Sequence, residues 1–241
     1  MEEKVRKLLE KFKAEAKKEL GENLKSIVVY GSLARGEFIS GKSDINLLLV
    51  LEKVELGSLI KIGKMMRRYQ AHRFATPIVV DEQYLKRSLD VFPIEFEEMK
   101  RHHLLLFGED YISHLEVSRS DLRLQLEREL KQNLLWLREL VLNHPGFSRN
   151  FLQALLNASR SISAQLRAMA LLKEELEGKE TTAVLKELTG GYFPALSWLI
   201  ALRQSPKLPK KSEVVNILPG LLEELEHLAR WVDQMEIELG Q

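Results

Sequence analysis

Three short apolar runs typical of buried strands lie before residue 82, and beyond residue 118 strand signals disappear in favour of apolar residues at helical spacing. That break limits the possible folds more than any other feature of the chain. The strand signal sits in Ile27-Val28-Val29-Tyr30, in residues 45–51, and in Pro77-Ile78-Val79-Val80. Ahead of these runs Val5, Leu8, Leu9, Phe12, Ala16 and Leu20 share one helical face, and Gly21 supplies a stop. Residues 56–72 read as a helix long enough to cross over a sheet. A further helical pattern covers 82–106 and closes at Phe107-Gly108, with Pro93 breaking it part-way.

The second half carries long amphipathic patterns. Ser118-Arg119-Ser120-Asp121 predicts a capping box that opens a helix with Leu122, Leu126, Leu130, Leu134, Leu137 and Val141 on one face. His144-Pro145-Gly146 ends it, and a second long helix is expected over 148–177. Shorter helices are expected at 181–188 and 194–203, an exposed loop at 205–212, and a last helix at 219–239. The expected class is therefore α+β. A mixed sheet with helices occupies residues 1–115, and an all-α helical bundle domain occupies residues 116–241.

Composition removes several function classes. The 36 Lys and Arg residues balance 35 Asp and Glu, so no bulk field draws the chain to nucleic acid or to an anionic membrane. Cysteine is absent, which excludes disulfides, thiolate nucleophiles and cysteine-ligated metal. The stretch Met1-Glu2-Glu3-Lys4 lacks the apolar core of a signal peptide, and the apolar run at 47–51 is too short to span a bilayer. A cytoplasmic protein is the expectation.

The informative motif is Gly31-Ser32-Leu33-Ala34-Arg35-Gly36, followed after six residues by Ser43-Asp44-Ile45-Asn46-Leu47. An expected strand runs directly into Gly31-Ser32, where glycine permits a sharp turn and a short helical turn begins. Free N–H groups at such a start, beside a serine hydroxyl, suit a nucleotide phosphate. Arg35-Gly36 and Gly41-Lys42 make the following loop cationic and mobile. Asp44 and Asn46 share one face of the next strand, because strand side chains alternate. Acidic groups at that spacing, facing a phosphate site, are what two-metal phosphoryl transfer requires.

Strand, Gly-Ser turn, Arg-Gly, then Ser-Asp-Ile-x-Leu heading a strand resembles the DNA polymerase β-type nucleotidyltransferase superfamily. That group includes aminoglycoside nucleotidyltransferases and small MNT-type proteins paired with helical partners. Leu105-Leu106-Phe107-Gly108-Glu109 after a basic helix is similar to the end of the catalytic domain in the antibiotic-modifying branch. The order of domains is similar too. The resemblance implies a nucleotidyltransferase fold, Mg²⁺ with ATP or another NTP, and transfer of a nucleoside monophosphate to a hydroxyl-bearing acceptor. Gly31, Ser32, Arg35 and Ser43 are then the nucleotide-binding candidates. Asp44 is the catalytic candidate, and Asp44 with Asn46 the metal ligands.

The chain departs from the family pattern at two places. Asn46 stands where the pattern has a second aspartate, which removes one negative charge from a site for a hard cation. The strand expected at 75–81 offers Thr76, Pro77 and Ile78 where the family places its acceptor-deprotonating carboxylate. Asp81, Glu95 or water is left as the base. Two readings therefore stand side by side: a nucleotidyltransferase with a partly degenerate metal site, and a catalytically silent nucleotide-binding or protein-interaction module.

Other features read as structural. Lys61, Lys64, Arg67, Arg68 and Arg73 form a basic run expected to be a solvated helix face. His102 and His103 lie near a helix end without metal-ligand spacing. Trp136, Trp198 and Trp231 are expected in core or interface, and with the leucine-rich helices they point to a homodimer.

Overall fold

The computed structural model describes residues 3–172, 183–184, 187, 193–202 and 208–235. Contacts divide the chain into two compact units, one ending at Val117 and the other beginning at Ser118.

The first unit opens with α1 (Glu3–Leu20), whose apolar face buries Val5, Leu9, Phe12, Ala16 and Leu20. Gly21 follows with φ +54°, a left-handed conformation that glycine adopts without a Cβ penalty. The chain then forms β1 (Leu24–Tyr30) and β2 (Asn46–Leu51), crosses through α2 (Leu56–Tyr69), and returns as β3 (Ile78–Asp81). Next come α3 (Glu82–Arg87), α4 (Pro93–Arg101) and β4 (His103–Gly108). The four-stranded sheet has the order β3-β2-β1-β4. β1 is antiparallel to both β2 and β4, while β2 and β3 run parallel, so the sheet is mixed as expected.

Alternation along the strands splits the core in two. Leu47, Leu49 and Leu51 of β2 face α1 and α2 together with Ile27 and Val29. Val28, Leu48 and Val50 face Leu85, Phe96 and Met99 of α3 and α4, with Ile112 and Leu115 from the segment after β4. Each fully buried aliphatic side chain of this kind contributes about 1.5–3 kcal/mol of transfer free energy.

One expectation is corrected here. Residues 82–106 are not one broken helix but two helices and a strand. Pro93 is the first residue of α4, where its missing N–H has no role to fill. Leu104, Leu105 and Leu106 are good helix formers, yet pairing with β1 draws them into an edge strand. The register slips between Ile27 and Val28, so Leu106 is the extra residue of a bulge. Gly108 ends the strand at φ +82°, and a Cβ there would stand 1.8 Å from the Lys25 carbonyl oxygen. This close approach seats the end of β4 directly on β1.

Among its described residues the second unit has helices and no strand: α5 (Arg119–Asn143), α6 (Arg149–Leu172), α7 (Pro194–Leu202) and α8 (Lys211–Asp233). α5 buries Leu122, Leu126, Leu130, Leu134, Leu137 and Leu140, and packs against α6 and α8. Ser118 does not act as the expected side-chain cap, because its hydroxyl lies 2.6 Å from Ser120 Oγ instead. α8 begins at Lys211, eight residues before the expected start at Pro219. Pro219 is exposed inside the helix, and Val215, whose carbonyl loses its helical partner, is 44% exposed, so water can satisfy that oxygen. The Glu224 carboxylate of α8 accepts the Ala195 and Leu196 N–H groups at 2.9 and 2.7 Å, capping α7. Trp136, Trp198 and Trp231 are half-buried. Most of the expected helix at 181–188, the end of the expected second helix beyond Leu172 and residues 205–207 of the expected loop lie outside the described residues; of the rest of that loop, 208–210 are non-helical and 211–212 belong to α8. No described helix is long and apolar enough to cross a membrane.

Candidate active site

β1 delivers its last residue, Tyr30, opposite Asn46, the first residue of β2. Gly31 has φ +77°, and a Cβ on it would lie 2.6 Å from Asn46 Nδ2. Glycine is thus required twice over, by the backbone turn and by the amide packed against it.

After Gly31 the chain makes one helical turn. The Arg35 N–H donates to the Gly31 carbonyl at 3.1 Å. Gly36 N–H donates to Leu33 O at 3.3 Å and Glu37 N–H to Ser32 O at 2.9 Å, with Gly36 at φ +77°. That paired set of bonds is a Schellman closure. It holds the turn from its C-terminal side, while the N–H groups of Ser32, Leu33 and Ala34 have no acceptor among the described residues.

The loop that follows is held rather than mobile. Ser43 N–H donates to Ile39 O at 2.8 Å, and Ser43 Oγ accepts the Ile39 N–H at 3.0 Å. The Ser43 hydroxyl therefore closes the loop. The Arg35 side chain is largely buried, donating from Nε to Glu37 Oε2 at 3.1 Å and from Nη1 to Glu98 Oε2 at 3.5 Å. Glu98 comes from α4, on the sheet face that also carries Leu48 and Val50, and alternation puts Asn46 on that face.

Asp44 has an ion-pair partner that the sequence reading did not assign. Arg73 Nη2 lies 2.7 Å from Asp44 Oδ1. The same guanidinium donates to Lys42 O at 2.7 Å through Nη2 and to Ser43 O at 3.1 Å through Nε. Arg73 is not on the basic face of α2 but beyond its end, at φ +62°. The neighbouring Phe74 is buried against Phe12 and Tyr69, with ring centroids 5.6 and 5.1 Å away. Main-chain bonds from Ile45 N–H to Arg73 O at 2.8 Å and from Ala75 N–H to Ile45 O at 3.0 Å complete the anchor. Lys61, Lys64, Arg67 and Arg68, by contrast, are exposed on α2 as expected.

Residues 5–106 match the family model described as nucleotidyltransferase domain. The N-terminal unit belongs to the nucleotidyltransferase domain family. A solved structure similar to the whole chain is spectinomycin adenyltransferase from Enterococcus faecialis with ATP and spectinomycin. The two share 14% identity at a TM-score of 0.55, over 95% of this chain and 99% of that one, which is a likeness of fold. No curated protein matches the chain.

Within this nucleotidyltransferase domain the residues present do not fit a pair of divalent cations. Asp44 already faces a guanidinium, and Asn46 presents a neutral amide. No group of three or more His, Asp or Glu side chains among the described residues is placed to hold a metal. The alternative bases are also displaced. Asp81 pairs with Leu51, five residues along β2 from Asn46. At about 3.3 Å per residue that is roughly 16 Å away. Its carboxylate is occupied as the cap of α3, accepting Tyr84 N–H at 2.7 Å. Glu95 is exposed on the first turn of α4.

His103 is structural, as expected. Its Nδ1 lies 2.9 Å from Met99 O and its Nε2 3.2 Å from Asp110 Oδ2. Asp110 also accepts the Ile112 N–H, the Ser113 N–H and the Ser113 hydroxyl. Burial alone would raise the Asp110 carboxyl, but the bonds from Ser113, Ile112 and His103 outweigh it and hold the group well below the usual carboxylate range.

Proposed function

We propose that the chain binds a nucleoside triphosphate at the Gly31–Ser32 turn and carries out nucleotidyl transfer weakly or not at all. The observation behind this reading is the turn itself: a left-handed Gly31, a Schellman-closed helical turn, and the N–H groups of Ser32, Leu33 and Ala34, which have no acceptor among the described residues. Such a turn contacts phosphate without any carboxylate. Transfer is a different matter, because a two-metal centre needs negative charge to offset its cations. Asp44 with Arg73 and Asn46 sums to no net charge, where a pair of aspartates would supply two negative charges.

In this reading residues 1–115 handle the nucleotide and residues 116–241 form a helical bundle domain. Any acceptor is a hydroxyl-bearing molecule, in keeping with the reaction class of the family. ATP is the first nucleotide to test, since the structurally similar adenyltransferase was solved with it. ATP at about 100 times its dissociation constant stabilises the bound fold by roughly 2.7 kcal/mol. For a chain of this size that is a rise in melting temperature of about 5–10 °C. No shift with any NTP, with or without Mg²⁺, would remove nucleotide binding from the protein. Rapid pyrophosphate release would show instead that transfer is intact.

A further inference from the structure

We infer that Arg73 is the resident cation of this site, so that the triphosphate is bound without a divalent ion. The inference rests on the nucleotide-binding reading above and adds to it which side chain takes the place of a metal ion beside Asp44. Three placements support it.

The first is position. β2 and β3 run parallel, and the bridge between Ile45 and Phe74 sets the residues just before the two strands side by side. Asn46 packs against Gly31 of the turn, and Asp44, two residues earlier in the chain, pairs with Arg73. A positive group beside Asp44 stands where a carboxylate-bound cation would otherwise be held.

The second is donor capacity. A guanidinium has five N–H donors. The bonds to Lys42 O, Asp44 Oδ1 and Ser43 O use Nε and Nη2. The two donors of Nη1 are not engaged by any described residue, and the Arg73 side chain is 42% exposed. The Nη1 amino group is therefore left to donate to a phosphate oxygen, as a charge-assisted bond.

The third is backbone strain. Arg73 sits at φ +62°, a left-handed conformation that an L-residue other than asparagine or aspartate rarely adopts. Such strain persists where the surroundings enforce it, and it concentrates at functional positions. Buried Phe74 and the bonds to Ile45 enforce it here. Asn46 fits the pattern, because a neutral amide two residues from Asp44 attracts a divalent ion less than a second carboxylate would.

The test is calorimetric titration of the whole protein with ATP, once in excess EDTA and once in excess MgCl₂. The inference requires comparable dissociation constants in the two buffers, within about threefold. Arg73→Asn accepts the left-handed backbone and should weaken binding in EDTA about tenfold or more, the range for a lost charged hydrogen bond. Arg73→Lys, which keeps the charge but loses the fork, should fall between. Melting curves of both variants without nucleotide verify that they fold. Binding that requires Mg²⁺ would overturn the inference and leave the nucleotide-binding reading intact. Metal-independent binding that Arg73→Asn leaves unchanged would overturn the role of Arg73. Absence of ATP binding in both buffers would overturn the nucleotide reading and this inference with it.

Discussion

Asn46 occupies the space that a side chain at Gly31 would need, since a Cβ there would stand 2.6 Å from its Nδ2. Gly31→Ala therefore meets two obstacles. The left-handed backbone costs about 1–2 kcal/mol, and the Asn46 amide must swing away. A loss of about 2–3 kcal/mol is expected, close to the upper range for overpacking. Denaturant titration checks it. In the Asn46→Ala background the same change should cost less, because one obstacle is gone; equal costs would mean the two residues are not coupled.

Asn46→Asp restores the charge that the family pattern carries at this position. With Asp44 it places two carboxylates against one guanidinium, so the site gains net negative charge. The expected outcome is an ATP-induced melting shift that becomes larger with Mg²⁺, together with slow pyrophosphate release absent from the parent protein. Adding Asp44→Ala should abolish the Mg²⁺ dependence. An Asn46→Asp protein indifferent to Mg²⁺ would mean that Arg73 excludes the metal whatever residue 46 is.

Asp110 supplies a pH prediction. Its folded-state carboxyl is held below the ordinary value, so it contributes stability above the unfolded value, near pH 4, and loses that contribution as pH falls further. Asp110→Asn should destabilise the protein by about 1–3 kcal/mol at pH 7, from the bonds no longer accepted. The gap between variant and parent should narrow progressively below about pH 4. Urea titrations at pH 7 and pH 3 read both. A gap that does not change with pH would assign the effect to packing instead.

The helical unit carries a prediction about assembly. Leu124, Leu135 and Leu142 are exposed on α5, with Leu142 at 79%. At 100° per residue their spacing sets them within about 20° of one line along the helix. A homodimer through this stripe gives a light-scattering mass of twice the 27.8 kDa chain at micromolar concentration. Leu135→Glu should return it to one chain mass. A single-chain mass for the parent protein would rule the dimer out.

Much of the fold is legible in one dimension because its signals are local. The α1 stripe from Val5 to Leu20, the apolar runs of β1 and β2, and the crossover length of α2 depend only on the order of neighbouring residues. The Gly31-Ser32 turn is legible for the same reason, since glycine at φ +77° is a property of one residue. β4 was not legible: Leu104-Leu105-Leu106 favours helix by propensity, and only the open edge of β1 makes it a strand.

The candidate site divides along the same line. Sequence alone determined that Asp44 and Asn46 share a strand face, and that two of the family pattern's three carboxylates are missing, one at Asn46 and one within residues 76–78. Tertiary structure alone decided that Arg73 reaches Asp44, that Asp81 is spent as a helix cap about 16 Å away, and that Glu98 meets Arg35. Arg73 is 29 residues from Asp44 in the chain, and by composition it belonged to the basic run of α2. What separates it from that run is the parallel pairing of β2 and β3, which brings the starts of two distant strands together. Spacing along a chain encodes which face a residue takes within its own element. Charge neutralisation depends on distance in space, and that distance exists only once the sheet has formed.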